Sequence, residues 1–318
     1  MAKIGKNIEQ ASEFLTQGEL VGIPTETVYG LAGNGFNAEA VAKIFEVKNR
    51  PSFDPLILHT DSIEKIAQFV AEMPAQAKQL AEAFWPGPLT LLLPKSDKVP
   101  DIVTSGLDAV AVRIPNHPFT LELLSKLDFP LAAPSANPFS YISPTTAQHV
   151  NQHLGDKIPY ILDGGNCRVG IESTIVGFPE GKATVFRKGG LSIEAIEKVI
   201  GKVEVLAHSS SKPQAPGMLA KHYAPKIPLI IGNIPELLAQ EKGKTVGVIS
   251  FRESYLGADN PLQFTLSASG DYAEAAQNLF ASLRKLDELQ PDIILAELLP
   301  EQNLGIAIND RLRRASVR

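Results

Sequence analysis

The chain has 318 residues, of which 44% are hydrophobic and 20% are charged, and this composition excludes a largely disordered protein. Lysine and arginine number 30 against 35 aspartates and glutamates, so the formal charge of −5 excludes a broadly basic nucleic-acid coat. The single cysteine, Cys167, excludes an intramolecular disulfide framework and a cysteine-rich zinc module. The length favours about two domains.

The sequence also bears on where the protein works. No stretch reaches the ~18 consecutive apolar residues that span a bilayer. Residues 1–10 contain two lysines but lack the apolar centre of a signal peptide. We therefore predict a soluble protein of the reducing cytoplasm, without a membrane partner.

Short apolar runs alternate with helical patterns along the chain, which is typical of an α/β fold. Asn7 and Asn37 can each cap a helix, the first ending at Gly18. Ser143 places a capping hydroxyl before Pro144 and predicts a third helix start. A further helix is predicted over residues 192–200. Strands are predicted at residues 20–23, 55–59, 89–93, 109–114, 131–133, 160–162, 174–176 and 184–186.

The composition changes after about residue 205. Residues 208–217 are rich in serine, proline and glycine, which predicts a linker. Beyond it, a strand at 246–250, a helix at 272–289 and a strand at 293–296 repeat the α/β pattern. We place the first domain at 1–205, a linker or lid at 206–227 and the C-terminal domain at 228–318. The last eight residues hold four arginines; we expect a solvated tail, with contact to RNA or a partner as the alternative.

Two segments in the first third place polar groups at the ends of predicted elements. Residues 24–30 follow the first strand with two threonines and a glutamate, which suit a small polar ligand; a polar turn is the alternative. Lys48 and Arg50 end a helix beside Pro51, and this cationic corner suits a polyphosphate. Neutralisation of the helix dipole is the alternative there. His59 ends a strand, where a histidine is more often structural than a ligand.

Two later segments have the same character. Arg113 closes a strand, and a guanidinium there suits a bidentate hold on a carboxylate. The serine-rich residues 133–146 lead into a helix N-terminus, which is either an anion site or a plain cap. Residues 163–174 combine glycines with a Glu-Ser-Thr sequence, and Arg187 follows on the next strand.

Together these segments resemble the YrdC-type threonylcarbamoyl-AMP synthases in their longer two-domain form, over essentially the whole chain. The shared motifs are Thr-Glu-Thr-Val-Tyr-Gly-Leu at 25–31, Lys-x-Arg-Pro-x-x-x-Pro-Leu with a later His at 48–59, Ser-Ala-Asn at 135–137 and Gly-x-Glu-Ser-Thr-Ile-Val at 170–176. Residues 215–225 resemble the linker motif of the long form. The resemblance implies a YrdC-like open twisted sheet with flanking helices, followed by a smaller Rossmann-like α/β domain.

The resemblance also implies an activity. L-threonine, bicarbonate and ATP would give threonylcarbamoyl-adenylate and pyrophosphate, a nucleotidyl transfer, and downstream proteins would move the threonylcarbamoyl group to a tRNA adenosine. Carried over to this sequence, the threonine site comprises Thr27, His59, Arg113, Ala133 and Ser173. The ATP site, with Mg²⁺ on the triphosphate, comprises Lys48, Arg50, Asp54, Ser135, Asn137, Ser143, Arg187 and Tyr223. Asp54 stands where the family often has asparagine, and Gly177 where aspartate is usual.

This chemistry requires no covalent protein nucleophile, so positioning and charge neutralisation dominate catalysis. We therefore expect Lys48 and Arg50 to hold the phosphates and Arg113 to hold the threonine carboxylate, and we expect the linker around Tyr223 to act as a lid. Two alternatives remain: a non-catalytic module that binds tRNA or double-stranded RNA in the same groove, and a carbamoyltransferase that uses carbamoyl phosphate. With 18 basic and 23 acidic residues, the first 205 residues are poorly suited to binding an RNA backbone.

Overall fold

The computed structural model describes residues 1–206 and 214–317 and contains two β-sheets with helices packed on them. The large sheet is mixed, with the strand order β1-β8-β2-β3-β7-β4-β6-β5-β9-β10-β11. Its strands are β1 (Lys3–Gly5), β2 (Val21–Ile23), β3 (Gly30–Asn34), β4 (Ile57–His59), β5 (Leu89–Pro94), β6 (Ala109–Arg113), β7 (Leu131–Ala132), β8 (Tyr160–Leu162), β9 (Thr174–Gly177), β10 (Thr184–Arg187) and β11 (Glu204–Val205). Its helices are α1 (Ile8–Thr16), α2 (Ala38–Lys48), α3 (Ile63–Ile66), α4 (Ala75–Phe84), α5 (Asp101–Thr104), α6 (Pro118–Ser125), α7 (Ala147–Leu154) and α8 (Ile193–Ile200).

The small sheet is parallel throughout, with the order β12-β15-β13-β14. It comprises β12 (Leu229–Ile231), β13 (Val246–Ser250), β14 (Gln263–Thr265) and β15 (Ile293–Ala296), with α9 (Ile234–Gln240), α10 (Tyr272–Leu289) and α11 (Gly305–Ala315). A large mixed sheet followed by a smaller parallel one confirms the predicted fold class. The predicted domain limits stay a prediction, and residues 207–213 of the predicted linker lie outside the described residues.

Strand pairing brings the ends of three strands together in the large sheet. β4 and β6 run parallel, and their register sets His59 beside Arg113. β7 pairs antiparallel with β4, so Ala133 follows at the same place, where its backbone N–H donates to Ile57 O at 3.1 Å. Side chains far apart in sequence therefore meet at one edge of the sheet.

Of the three helix caps predicted at Asn7, Asn37 and Ser143, the first two are confirmed and the third is wrong. The Asn7 side chain accepts a hydrogen bond from Gln10 N at 3.1 Å, and Asn37 caps α2 in the same way. Helix α7 begins at Ala147, and its cap is Thr146, which lies three residues after the predicted cap. The Ser143 hydroxyl instead donates to Glu172 Oε1 at 2.5 Å. Burial of a carboxylate that lacks hydrogen-bond donors costs free energy. The Ser143 hydroxyl therefore donates to the distant Glu172 and does not cap the helix.

The expectation of a solvated arginine tail is also wrong. Residues 305–315 form α11, in which Arg311 and Arg314 are buried at 0% and 4% exposure. Arg311 pairs with Glu172, and Arg314 donates to Leu219 O at 2.7 Å and 2.9 Å. Burial of these guanidiniums is possible because each meets an acceptor in another segment of the chain. Arg318 lies outside the described residues.

The two sheets share an apolar contact region. One core cluster joins Val28, Ile142 and Ile171 of the first part of the chain to Leu279 and Phe280 of α10. Helix α10 therefore buries one face against residues that lie close to the motifs of the first part. Within 1–206 and 214–317, no helix is both long enough and apolar enough to cross a membrane.

Candidate active site

A cavity lies where β2, β4 and β6 end, beside the linker residues 216–223. Nine of the thirteen predicted site residues line it: Thr27, Arg50, His59, Arg113, Ala133, Ser135, Ser173, Arg187 and Tyr223. The other four, Lys48, Asp54, Asn137 and Ser143, lie behind this wall and are hydrogen-bonded or ion-paired to residues that form it. The structure therefore brings all of the predicted residues into one region, and their individual roles stay predictions.

Arg113 is held by three protein groups at the cavity wall. Its Nη1 donates to Thr27 Oγ1 at 2.9 Å, and its Nε donates to Gly87 O at 3.2 Å. Its Nη2 lies 2.7 Å from Glu26 Oε1. The two atoms form an ion pair, but their geometry is not that of a hydrogen bond. A guanidinium has five N–H groups, so both terminal nitrogens keep an N–H for a further acceptor. This leaves a fork that suits a carboxylate.

Glu26 lies beside the cavity and was not among the predicted site residues. It is 2% exposed, and within the described part of the chain neither carboxylate oxygen has a hydrogen-bond donor. Arg113 balances its charge in an ion pair at 2.7 Å. The signal was present, because a glutamate between Thr25 and Thr27 at a strand end has no place in a hydrophobic core.

His59 lies beside Arg113 and is 2% exposed. Burial, together with the positive charge of Arg113, lowers the pKa of His59 to about 3. Its Nδ1 lies 3.2 Å from Ile57 O. At neutral pH the imidazole is therefore uncharged, and it serves as a hydrogen-bonding group and not as a cation.

Ser173 and Arg187 form a second polar wall of the cavity. The Ser173 hydroxyl lies 2.7 Å from Thr90 Oγ1 and accepts a hydrogen bond from Arg187 Nη2 at 3.0 Å. Arg187 Nε donates to Ser173 O at 3.0 Å, and its Nη1 reaches Pro216 O of the linker at 3.4 Å. Burial lowers the pKa of Arg187 to about 10, so the guanidinium remains charged at neutral pH. Arg187 thus joins the substrate wall to the linker.

Lys48 ends α2 with its side chain fully inside the protein, at 1% exposure. Its ammonium donates to the backbone oxygens of Ser135 and Asn137. Burial and the neighbouring Arg50 charge lower the pKa of Lys48. The carboxamide oxygen of Asn137 is buried and has no hydrogen-bond partner in the described chain, so it can accept from a ligand.

Arg50 and Asp54 form a buried ion pair at 2.9 Å. Arg50 also donates to the backbone oxygens of Asp54 at 3.0 Å and Pro55 at 2.8 Å, which fixes its guanidinium at the cavity edge. The Asp54 Oδ1 atom accepts from Gly217 N of the linker at 3.4 Å. Asp54 therefore connects the cationic corner to the linker.

The carboxylates near the cavity do not form a protein-held Mg²⁺ site. Asp54, Glu26 and Glu172 each pair with a different arginine. Across the described ranges, no three His, Cys, Asp or Glu side chains are grouped so that they could hold a cation. Mg²⁺ in proteins is bound by carboxylates together with substrate phosphates. A metal at this site would therefore have to be held largely by phosphate oxygens of a bound substrate.

Tyr223 covers the cavity from the linker side. Its backbone has a φ of +63°, and its ring stacks on Phe280 of α10 with the centroids 5.4 Å apart. The guanidiniums of Arg311 and Arg314 lie 5.2 Å and 4.9 Å from the centre of the same ring. The tyrosine is therefore fixed between the cavity and the second part of the chain.

Glu172 also lines the cavity, and it was not among the predicted site residues. Its Oε1 accepts the Ser143 hydroxyl, and its Oε2 accepts from Arg311 Nε at 3.2 Å and Nη2 at 3.0 Å. Burial opposes the charged carboxylate, but Arg311, Arg187 and the Ser143 hydroxyl outweigh burial and lower the pKa of Glu172. A charged glutamate thus forms part of the cavity wall.

Comparison with known families identifies the class of protein that this fold and cavity define. Residues 13–189 match the family model of Sua5, YciO and YrdC proteins, which carries the description "telomere recombination". Residues 191–317 match the model described as the threonylcarbamoyl-AMP synthase C-terminal domain. The chain belongs to this family, in the form that carries both parts.

Individual relatives agree with this assignment. The threonylcarbamoyl-AMP synthase of Pyrococcus abyssi is 45% identical over 97% of this chain and 94% of its own, and that of Bacillus subtilis is 40% identical over 97% and 92%. A crystal structure of P. abyssi Sua5 complexed with L-threonine has a TM-score of 0.93 and covers 99% of this chain and 97% of that one, with 43% identity. The predicted family and enzyme class, a synthase of the nucleotidyltransferase type, are confirmed.

Proposed function

We propose that the protein condenses L-threonine, bicarbonate and ATP to threonylcarbamoyl-adenylate and pyrophosphate. Downstream transferases would then use the adenylate to modify a tRNA adenosine. The observation that carries the proposal is that the Arg113 fork and Arg50 line the same cavity, with Lys48 directly behind Ser135 in its wall. A carboxylate site and a phosphate site side by side suit a reaction that joins an amino acid to a nucleotide.

The threonine end of the cavity is built around Arg113. Its free N–H groups hold the substrate carboxylate, while Ala133 forms an apolar wall. Thr27, the neutral His59 and Ser173 then face the amine and the hydroxyl of the substrate. The P. abyssi relative crystallised with L-threonine supports this ligand.

Two bond-forming steps follow from this arrangement. The threonine amine attacks the carbon of bicarbonate, and loss of water leaves a carbamate. A carbamate oxygen then attacks the α-phosphorus of ATP, and the bond to the bridging oxygen breaks to release pyrophosphate. Lys48, Arg50 and Arg187 offset the charge of the phosphates, and both steps depend on positioning and not on a protein nucleophile.

The adenylate end is lined by the remaining predicted residues. Ser135 contributes to the cavity wall, and Ser143 and Tyr223 lie towards the second part of the chain. The unpartnered Asn137 oxygen lies behind Ser135, where it can serve both substrates. Mg²⁺ on the triphosphate would lower the negative charge that Arg50 and Arg187 have to offset.

The linker acts as a lid in this proposal. In the position seen here, the cavity has a volume of about 50 Å³, whereas small-molecule sites are roughly 300–1,000 Å³. Pro216, Gly217 and Tyr223 close it through contacts with Arg187, Asp54 and Phe280. Admission of ATP and threonine therefore requires these linker contacts to open.

Pyrophosphate release tests the proposed function. We expect release from the full-length protein only when ATP, threonine and bicarbonate are all present. Release that does not depend on threonine would overturn the proposal, and turnover of carbamoyl phosphate would favour the carbamoyltransferase. The RNA-binding alternative is disfavoured by the charge of residues 1–205, which carry 18 basic and 23 acidic residues. Salt-sensitive RNA binding without ATP turnover would restore that alternative.

A further inference from the structure

Helix α11 places a fully buried arginine at the boundary between the two parts of the chain. Arg311 is 0% exposed and is among the largest fully buried side chains. An arginine is rarely buried unless it is paired, and Arg311 has two acidic partners. Asp310, on the same helix, lies 3.3 Å away. Glu172 lies 139 positions earlier in the sequence, in the wall of the cavity.

The contacts of Arg311 fix the geometry of Glu172. Two guanidinium nitrogens, Nε and Nη2, donate to the same Oε2 atom at 3.2 Å and 3.0 Å. The third nitrogen donates to the backbone oxygen of Lys188, the residue after Arg187. Arg311 therefore holds both the Glu172 side chain and the backbone beside Arg187. Only a planar fork reaches these acceptors together.

Glu172 connects Arg311 to the end of the cavity where we expect the nucleotide. Its other oxygen accepts the Ser143 hydroxyl at 2.5 Å. The charge of Arg187 also acts on the Glu172 carboxylate. Arg187 Nη2 in turn donates a hydrogen bond to the Ser173 hydroxyl at 3.0 Å. If Arg311 were absent, Glu172 would keep a negative charge in the cavity wall. It would then attract Arg187 away from Ser173 and repel a triphosphate.

We propose that Arg311, contributed by the C-terminal part of the chain, is a positioning residue of the active site, acting through Glu172 on the nucleotide end. It completes the wall that Ser143 and Arg187 form, and its effect falls on ATP more than on threonine. The inference rests on the proposed function for the identity of the nucleotide. It gives α11 a role in the reaction, beyond packing the second sheet.

The test is a double-mutant cycle with Arg311→Gln, Glu172→Gln and the two combined. Removing one partner of a buried charge pair is far more harmful than replacing both with neutral groups. We expect Arg311→Gln to raise the KM for ATP by about tenfold or more. The double variant should recover most of this loss, while threonine binding measured by calorimetry changes much less in each variant.

Arg313→Gln is the matched control. Arg313 lies on the same helix in an exposed pair with Glu301, so its replacement should leave the KM for ATP unchanged. If Arg311→Gln fails to fold, Arg311→Lys keeps the charge without the fork and should still raise this KM. An unchanged KM in the Gln or Lys variant, or a double variant no better than Arg311→Gln, would overturn the inference.

The two proposals fail in different ways. ATP binding by calorimetry, without turnover, reports on the positioning role alone. If the unmodified protein binds ATP but forms no threonine-dependent pyrophosphate, the proposed function is wrong. Weaker ATP binding in Arg311→Gln would then still support the role of Arg311. Unchanged ATP binding in an active protein would contradict that role and leave the proposed function standing.

Discussion

The role that we propose for Arg113 depends on neighbouring residues that hold its guanidinium in place. Thr27 and Gly87 each take one N–H, and Glu26 supplies the balancing charge at 2.7 Å. The remaining N–H groups are the ones that we propose for the substrate carboxylate. Preorganisation of this kind lowers the cost of binding because no side chain has to be ordered later.

Glu26→Gln tests this support at the level of one residue. A carboxamide keeps the shape of the side chain but removes the charge, so the Arg113 fork loses one of its three supports. We expect threonine affinity to fall by about tenfold, since the loss of one partner disrupts a buried ion pair and the orientation that it fixes. ATP binding should be almost unchanged, and calorimetry with each ligand measures both.

The control for this prediction is Glu9→Gln. Glu9 pairs with Lys126 at 2.7 Å in an exposed salt bridge, whose loss should affect neither ligand. Arg113→Ala should harm threonine binding more than Glu26→Gln does, because it removes the fork itself. Equal loss of threonine and ATP binding in either site variant would contradict the assignment of Arg113 to the carboxylate.

Sequence patterns identified Arg113 but not Glu172, and the reason is physical. An arginine that ends an alternating strand is unusual within its own segment. The role of Glu172 depends on Arg311, which lies 139 positions away on a helix of the second part. No local pattern contains that information. For the same reason the sequence predicted a solvated tail at residues 311–318, because the partner that buries Arg311 lies far away in the sequence.

At the scale of elements, local signals succeeded where no distant partner competed. Asn37 caps α2 as predicted, since its side chain meets only the first turn of its own helix. Ser143 was predicted as a cap on the same grounds, but its hydroxyl donates to the buried Glu172 carboxylate. Thr146 therefore caps the helix instead. Hydrogen bonds to a buried charge are stronger than those to a helix end.

The linker can be tested at Gly217. This glycine has a φ of +75°, and a Cβ there would lie 3.2 Å from Arg187 Nη1. Gly217→Ala adds backbone strain and also pushes the linker away from Arg187 and Asp54. We expect kcat/KM for ATP to fall by about tenfold because the lid closes poorly. Steady-state pyrophosphate release measures this.

Gly257→Ala provides the control for backbone strain alone. Gly257 has a φ of +93° and open space around the added Cβ, in a part of the chain remote from the cavity. Both alanine variants should lose about 1 kcal/mol of stability, but only the linker variant should lose turnover. If Gly217→Ala keeps full turnover, the linker does not act as a lid.

At the scale of the whole molecule, burial of histidines predicts how stability depends on pH. Burial lowers the pKa of His59 to about 3 and those of His149 and His153 to about 4, while an unfolded chain takes up these protons near pH ~6.5. The unfolded state therefore binds more protons between these values. Stability is thus lost as the pH falls from about 6.5 towards about 4.

Urea denaturation near pH ~7 and near pH ~5 measures this dependence. We expect a smaller free energy of unfolding at the lower pH. The variant His153→Gln should reduce the difference, because it removes one half-buried group whose ring lies 4.7 Å from that of Tyr141. A free energy that is the same at both pH values would show that the histidines titrate normally in the folded protein.

We propose that the two unequal parts of the chain build one active site. In this proposal, the first part holds the threonine carboxylate and the phosphates, and α11 of the second part stabilises the wall between them. The mild net charge of −5 accords with this arrangement, because the cations of the site are few and enclosed and suit one nucleotide.

The most direct test of the account is the origin of the carbonyl carbon in the product. The full-length protein is incubated with ATP, L-threonine and ¹³C-labelled bicarbonate, and the nucleotide product is examined by mass spectrometry. The account predicts an adenylate that contains both threonine and one labelled carbon, formed together with pyrophosphate. An adenylate of threonine without the label, or labelled product without AMP, would contradict it.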